Sequence, residues 1–188
     1  PLLTLFLFLN ACFYAMAAEI NVYSHRHYDS DAILFAKFTK ETGIKVNVIK
    51  GSADQLIQRL ISEGKNSPAD VLLTVDAGRL HRAKEAGILQ PVQSEKLQEN
   101  VPLAMRDPEG NWYCFTVRAR VLVYAKGRVK PSELSTYEDL ASSKWRARLT
   151  VRSSSNIYNQ SLLASIIEAN GAEKALDWAK AVRKNMVR

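Results

Sequence analysis

Apolar positions along this chain follow two rhythms, and the alternation between them marks out its elements. Residues 20–23 form a short apolar segment suited to a strand. Asp29 or Ser30 can cap the apolar pattern over 32–38, which has helical spacing, and Gly43 supplies its stop. Ile44, Val46 and Val48 then alternate with polar residues, the period of a half-buried strand. Ser52 and Gln55 have the spacing of a capping box. The helix behind them gathers Leu56, Ile57, Leu60 and Ile61 on one face before Gly64. Residues 70–75 are a near-continuous apolar run, the pattern of a strand covered on both faces. Another helix over 80–86 ends at Gly87. Three strand–helix units in succession predict an α/β domain on a mainly parallel sheet.

The rhythm changes after the turn signal at 107–110. Residues 112–124 read as a long β-rich run with Arg118 and Arg120 in its middle. A helix is expected from Pro131 or Ser132 to Ala141, because proline suits a first helical turn. Residues 148–151 read as a strand, followed by the polar stretch 153–156 and a helix over 158–169. Gly171 separates that helix from a last one, in which Ala175, Leu176, Trp178 and Ala179 can pack. The division expected from this pattern is a first α/β lobe over 19–114, then a crossing strand and part of a second α/β lobe over 115–188.

Composition adds a compartment. Residues 1–18 carry no charge and end in Ala15, Met16 and Ala17, which predicts a secretory signal peptide cleaved near residue 17 or 18. A membrane anchor and a lipoprotein box around Cys12 are the competing readings, and the small-residue ending favours cleavage. With the leader gone, Cys114 is the single cysteine, so no disulfide framework or CxxC metal site is available. The net charge of +7 is uneven: 14 Lys/Arg against 6 Asp/Glu fall in 118–188, whereas 19–117 is nearly balanced. These cations are scattered, with no dense basic run, so an anion or an anionic surface fits the field better than nucleic acid.

Ligands of open α/β sheets bind beyond the carboxyl ends of the strands. Three loops hold that position here: 24–29, 74–76 and 153–158. His27 and Tyr28 offer an imidazole and a phenol from adjacent positions, and Tyr158 offers a second phenol from a comparable strand-to-helix loop. Phenolate is a hard oxygen donor suited to a hard cation such as ferric iron. Against that stands the ordinary role of loop tyrosines and histidines, which is to pack and to hydrogen-bond. His25 and His81 read as surface residues, and Tyr23 as scaffold. Arg118 and Arg120 alternate, so both point to one face and could hold a planar anion. Residues 153–156 could bind an anion at a helix start or simply cap that helix. The GxSxG, HExxH, Walker and dinucleotide-binding glycine patterns are all absent, so no enzyme is expected.

Four ordered stretches carry a more specific signal: YSHRHYDSD (23–31), SPADVLLTVDAGRLHRAKEAGILQPVQS (67–94), FTVRARVLVYAKG (115–127) and SSSNIYNQSLLAS (153–165). Together they resemble the periplasmic ferric-iron-binding proteins of ABC importers, among the family 1 extracellular solute-binding proteins. The resemblance runs from about Glu19 to the end of the chain. It implies a type II periplasmic binding protein fold, two α/β lobes joined by a hinge, with the second lobe incomplete in this chain. It also implies a monomer that closes on Fe³⁺ and passes it to an inner-membrane permease, with no part for nucleic acid. Residue by residue, Tyr28 matches the first-lobe tyrosine ligand, His27 a histidine that ligates in some members, and Tyr158 the second-lobe tyrosine. Arg118 matches an arginine near the metal that offsets phenolate charge or holds a synergistic anion. The family's adjacent tyrosine pair would lie beyond residue 188, so a C-terminally truncated chain is expected. The alternative within the same fold is a binding protein for an oxyanion or small organic anion, held by Arg118 and the 153–156 loop.

Overall fold

The structure is a computed structural model that describes residues 18–187. The apolar leader, Cys12 and the Ala15 to Ala17 cleavage motif lie outside the described residues. The chain forms two compact units, one running through Val75 and one beginning at Asp76.

The first unit is a parallel three-stranded sheet with helices between its strands. Strands β1 (Glu19–Ser24), β2 (Lys45–Lys50) and β3 (Val71–Leu73) stand in the order β2-β1-β3, with Val22 opposite both Val48 and Val71. Helix α1 (Asp29–Thr42) joins β1 to β2, and α2 (Ala53–Glu63) joins β2 to β3. The capping box at Ser52 forms as its spacing predicts: the hydroxyl accepts from Gln55 N–H and the Gln55 side chain accepts from Ser52 N–H. The apolar face of α2 buries Leu56, Ile57 and Leu60 beside Val22 and Tyr23 of β1. Each fully buried aliphatic side chain of this kind contributes roughly 1.5–3 kcal/mol. Gly43 ends α1 in the left-handed conformation, at φ 73°.

In the second unit, α3 (Ala77–Glu85) and α4 (Glu95–Asn100) precede a tight loop in which Arg106 bridges to Tyr113. Helices α5 (Ile157–Asn170) and α6 (Ala172–Asn185) follow. Their core holds Leu140, Trp145, Ile157, Ile166, Ala175 and Val182. Asn185 is buried at the end of α6, where its amide donates to Leu140 O at 2.9 Å and Ser142 O at 2.8 Å. That pairing satisfies two carbonyls of an irregular segment in place of a ladder. Among the described residues no helix is long and apolar enough to cross a membrane.

Four expectations about elements are corrected. The run 112–124 joins no sheet, apart from the single bridge at Tyr113. The helix expected to end at Ala141 breaks into 3₁₀ turns over Pro131–Glu133 and Glu138–Ala141, with another at Ser143–Trp145 past its expected end. Asp139 causes the break by accepting from Ser135 N–H at 2.6 Å and Thr136 N–H at 3.0 Å, which diverts those donors from a helix. Residues 148–151 make one rung, Leu149 with Met186, and no strand. Finally, β3 is not covered on both faces: Val71 is 45% exposed, and among the described residues β3 lies at the sheet edge, paired with β1 alone.

Candidate functional site

The loop between β1 and α1 is fixed from below. Ser24 is buried, and its hydroxyl accepts from Arg26 N–H at 3.1 Å. The Arg26 guanidinium makes a two-pronged pair with Asp31, both contacts at 2.9 Å, and this is the strong geometry for arginine and carboxylate. The Arg26 hydrogen bond pulls the Asp31 carboxyl below its ordinary range. Helix α1 starts at Asp29 with Tyr28 as its extended N-cap, one residue ahead of the expected caps. His25 is no loose surface group: its backbone N–H donates to Leu73 O at 2.9 Å and its ring lies 3.4 Å from Gly51 O. Tyr23 is buried with its hydroxyl on Glu63, and burial, then that carboxylate, pushes its phenol up. It is scaffold.

What remains at the loop surface is His27 and Tyr28. Their rings stack at 4.9 Å with an angle of 27°, and Arg26 lies 5.0 Å from the Tyr28 ring. A groove of about 600 Å³ opens beside Tyr28 between α1 and β2, lined also by Arg26, Asp31, Phe35 and Val46. Within the first unit, then, an imidazole and a phenol share one exposed shelf held by an ion pair.

The second phenol is built differently. Asn156 caps α5 by accepting from Tyr158 N–H at 3.0 Å, which sets Tyr158 in the first helical turn. Arg118 donates to Tyr158 Oη at 2.5 Å. Three guanidiniums surround the ring, those of Arg120 at 5.1 Å, Arg152 at 5.7 Å and Arg118 at 5.8 Å, all within cation–π range. Arg118 and Arg120 thus meet one target, as their alternation predicts. Arg152 escaped the sequence reading, although its place just ahead of the 153–156 turn was the available signal. The serines of that turn bond to one another, Ser153 Oγ with Ser155 Oγ at 2.9 Å, so capping and local closure occupy them. Cys114 is a part-buried thiol, pushed up chiefly by that burial. His81 is exposed on α3. Among the described residues no three His, Cys, Asp or Glu gather as a metal cluster; phenol donors fall outside that set.

Known proteins are similar to this chain in sequence and in backbone. Iron uptake protein A1 of Synechocystis sp. is 62% identical over 170 residues, which is 90% of this chain and 47% of that protein. A Trichodesmium protein (IdiA, FutA), solved with iron and citrate ligands, superposes with a TM-score of 0.86 at 58% identity. The match covers 91% of this chain and 54% of that one. The ferric binding protein of Campylobacter jejuni gives 0.84 at 42% identity, over 90% of this chain and 54% of that one. The chain therefore spans about half the length of the relatives it matches. Those structures are periplasmic ferric-binding proteins of the type II fold, and this mixed α/β chain with its parallel sheet corresponds to about half of that fold. Residues 66–188 match the bacterial extracellular solute-binding protein family, and the chain belongs to it.

Proposed function

We propose that this protein is the periplasmic substrate-binding component of a ferric iron ABC importer. Its cargo is Fe³⁺, taken by the phenolates of Tyr28 and Tyr158 with His27 as a third donor, and passed on to an inner-membrane permease. The chain acts as a monomer, is exported by its leader, and does no catalysis. Its functional lobes are 19–114 and 115–188, a boundary later in the chain than the break between compact units at Val75.

The Arg118 hydrogen bond to Tyr158 Oη carries this reading. A phenol that serves as a metal ligand must present its oxygen as an anion while the ion is held. An arginine N–H aimed at that oxygen leaves a second lone pair for the cation and offsets the oxygen's charge. A phenol that merely packs has no use for three guanidiniums. The related Trichodesmium protein, solved with iron and citrate, supports the same cargo. A synergistic anion beside the ion fits the guanidiniums around Tyr158.

Ferric titration of the purified protein, with the iron supplied as a weak chelate, tests this. A visible phenolate-to-iron absorption band should grow to saturation, and Y28F and Y158F should each weaken or abolish it. A colourless protein at saturating iron would sink the assignment. The same arginines favour one other reading, a small organic anion held without iron. In that case both phenylalanine variants keep full anion binding.

A further inference from the structure

Asp76 is more than the cap of α3. Its Oδ1 accepts from Gly78 N–H at 3.0 Å, and that single bond is all an N-cap requires. The same Oδ1 accepts from Ser161 Oγ at 2.7 Å, reaching across to α5. Oδ2 accepts from Arg120 Nη2 at 3.0 Å, and the Asp76 side chain is only 9% exposed. Its backbone stands at φ 76°, a conformation that residues other than glycine rarely adopt. Capping alone does not call for this conformation, because an ordinary N-cap sits in the extended region. Close approach of α3 to α5 is enforced as well, because a Cβ on Gly78 would meet Asp76 Oδ1 at 3.2 Å and Ile157 Cδ1 at 3.4 Å.

The partner of Oδ2 gives the arrangement its sense. Arg120 is the guanidinium nearest the Tyr158 ring, at 5.1 Å, and its backbone carbonyl accepts from Tyr137 Oη at 2.6 Å. One end of this arginine is thus tied to Tyr137 and the other to Asp76, with the Tyr158 ring beside it. We propose that Asp76 is a positioning residue for the ligand phenol: it holds Arg120 against the Tyr158 ring and supplies the counter-charge that Arg120 needs beside an incoming cation. The proposal rests on Tyr158 being a ligand. Asp76 acts through Arg120, its carboxylate bonding to Gly78, Ser161 and Arg120. Without it, Arg120 loses its anchor and stands as an unbalanced charge where Fe³⁺ approaches.

Asp76→Asn separates positioning from capping. Asparagine keeps an oxygen for Gly78 N–H and Ser161 Oγ, but presents an amide to Arg120 that cannot accept. In metal-free protein carrying ¹³C-labelled tyrosine rings, Y158F identifies the Tyr158 resonance by removing it. D76N should move that resonance, R120Q should move it similarly, and the double variant should add little to R120Q. Thermal midpoint and far-UV circular dichroism should stay near wild type, and ferric affinity should fall about 10- to 100-fold, the usual cost of losing a supporting partner. A Tyr158 resonance unmoved by D76N overturns the proposal, whatever happens to stability. If D76N fails to fold, R120Q decides alone, and an unmoved resonance again overturns it. Should Y158F keep full iron binding while D76N moves the ring resonance, positioning stands and the iron reading fails. Should Y158F abolish iron binding while D76N changes neither measurement, the reverse holds.

Discussion

At Asp107 a carboxylate sits almost out of water, 6% exposed, in the loop that closes over α3. Burial alone would favour its neutral form. That cost is outweighed by Lys84 Nζ at 2.8 Å and by the backbone and side-chain N–H groups of Asn111 at 3.1 and 2.7 Å, and its pKa is lowered to about 2. A carboxyl titrates near ~3.9 in an unfolded chain. The pair therefore adds stability that is fully present above pH ~4 and is lost as pH falls through about 2. Thermal midpoints of wild type and D107N should differ at pH 7 and converge between pH ~4 and ~2; a constant gap would refute the linkage. At this scale the site was half legible. Tyr28, His27 and Tyr158 stand in loops whose strand-to-helix position the pattern of apolar residues predicts, and Arg118 stands in the β-rich run whose alternation sets it on one side with Arg120. Asp76 lies 85 residues from its partner Ser161, a contact made through space that no local spacing encodes.

Helices were the legible elements, because each carries its own evidence. Helix α2 shows why: Ser52 and Gln55 close the capping box, while Leu56, Ile57 and Leu60 share a buried face. Those signals lie within eleven residues and need no partner to be read. S52A should cost about 1 kcal/mol in chemical denaturation, and S52D should recover most of it, since aspartate caps as well as serine. An unchanged midpoint in S52A would mean the cap is redundant with packing. Strands were less legible, because a strand exists only if a neighbour pairs with it. Residues 112–124 have the β-rich composition but no partner strand among the described residues, and 148–151 find a single rung. The segment from Pro131 failed for another reason. Its apolar spacing is helical, yet Asp139 captures the N–H groups of Ser135 and Thr136 and splits it into 3₁₀ turns.

On the scale of the whole molecule, the unpaired segment after Cys114 joins function to association. Its even positions include Arg118 and Arg120, which engage Tyr158. Its odd positions are Phe115, Val117, Ala119, Val121 and Val123, and the four large ones are 68%, 78%, 69% and 88% exposed. Arginine contacts on one side thus leave an apolar stripe in water on the other. Strand-forming side chains on an unpaired backbone invite pairing with any chain that passes. Among the described residues nothing covers the stripe. At concentrations well above those at which the monomer works, the exposed stripe should drive weak self-association that rises with ionic strength, since salt screens the net charge of +7 but leaves apolar attraction intact. Static light scattering on V121T/V123T should show that association cut back. The Tyr158 ring resonance should not move, because the substituted side chains lie on the opposite parity from the arginines. Association that persists in this variant and weakens with added salt would assign it to charge instead of the stripe.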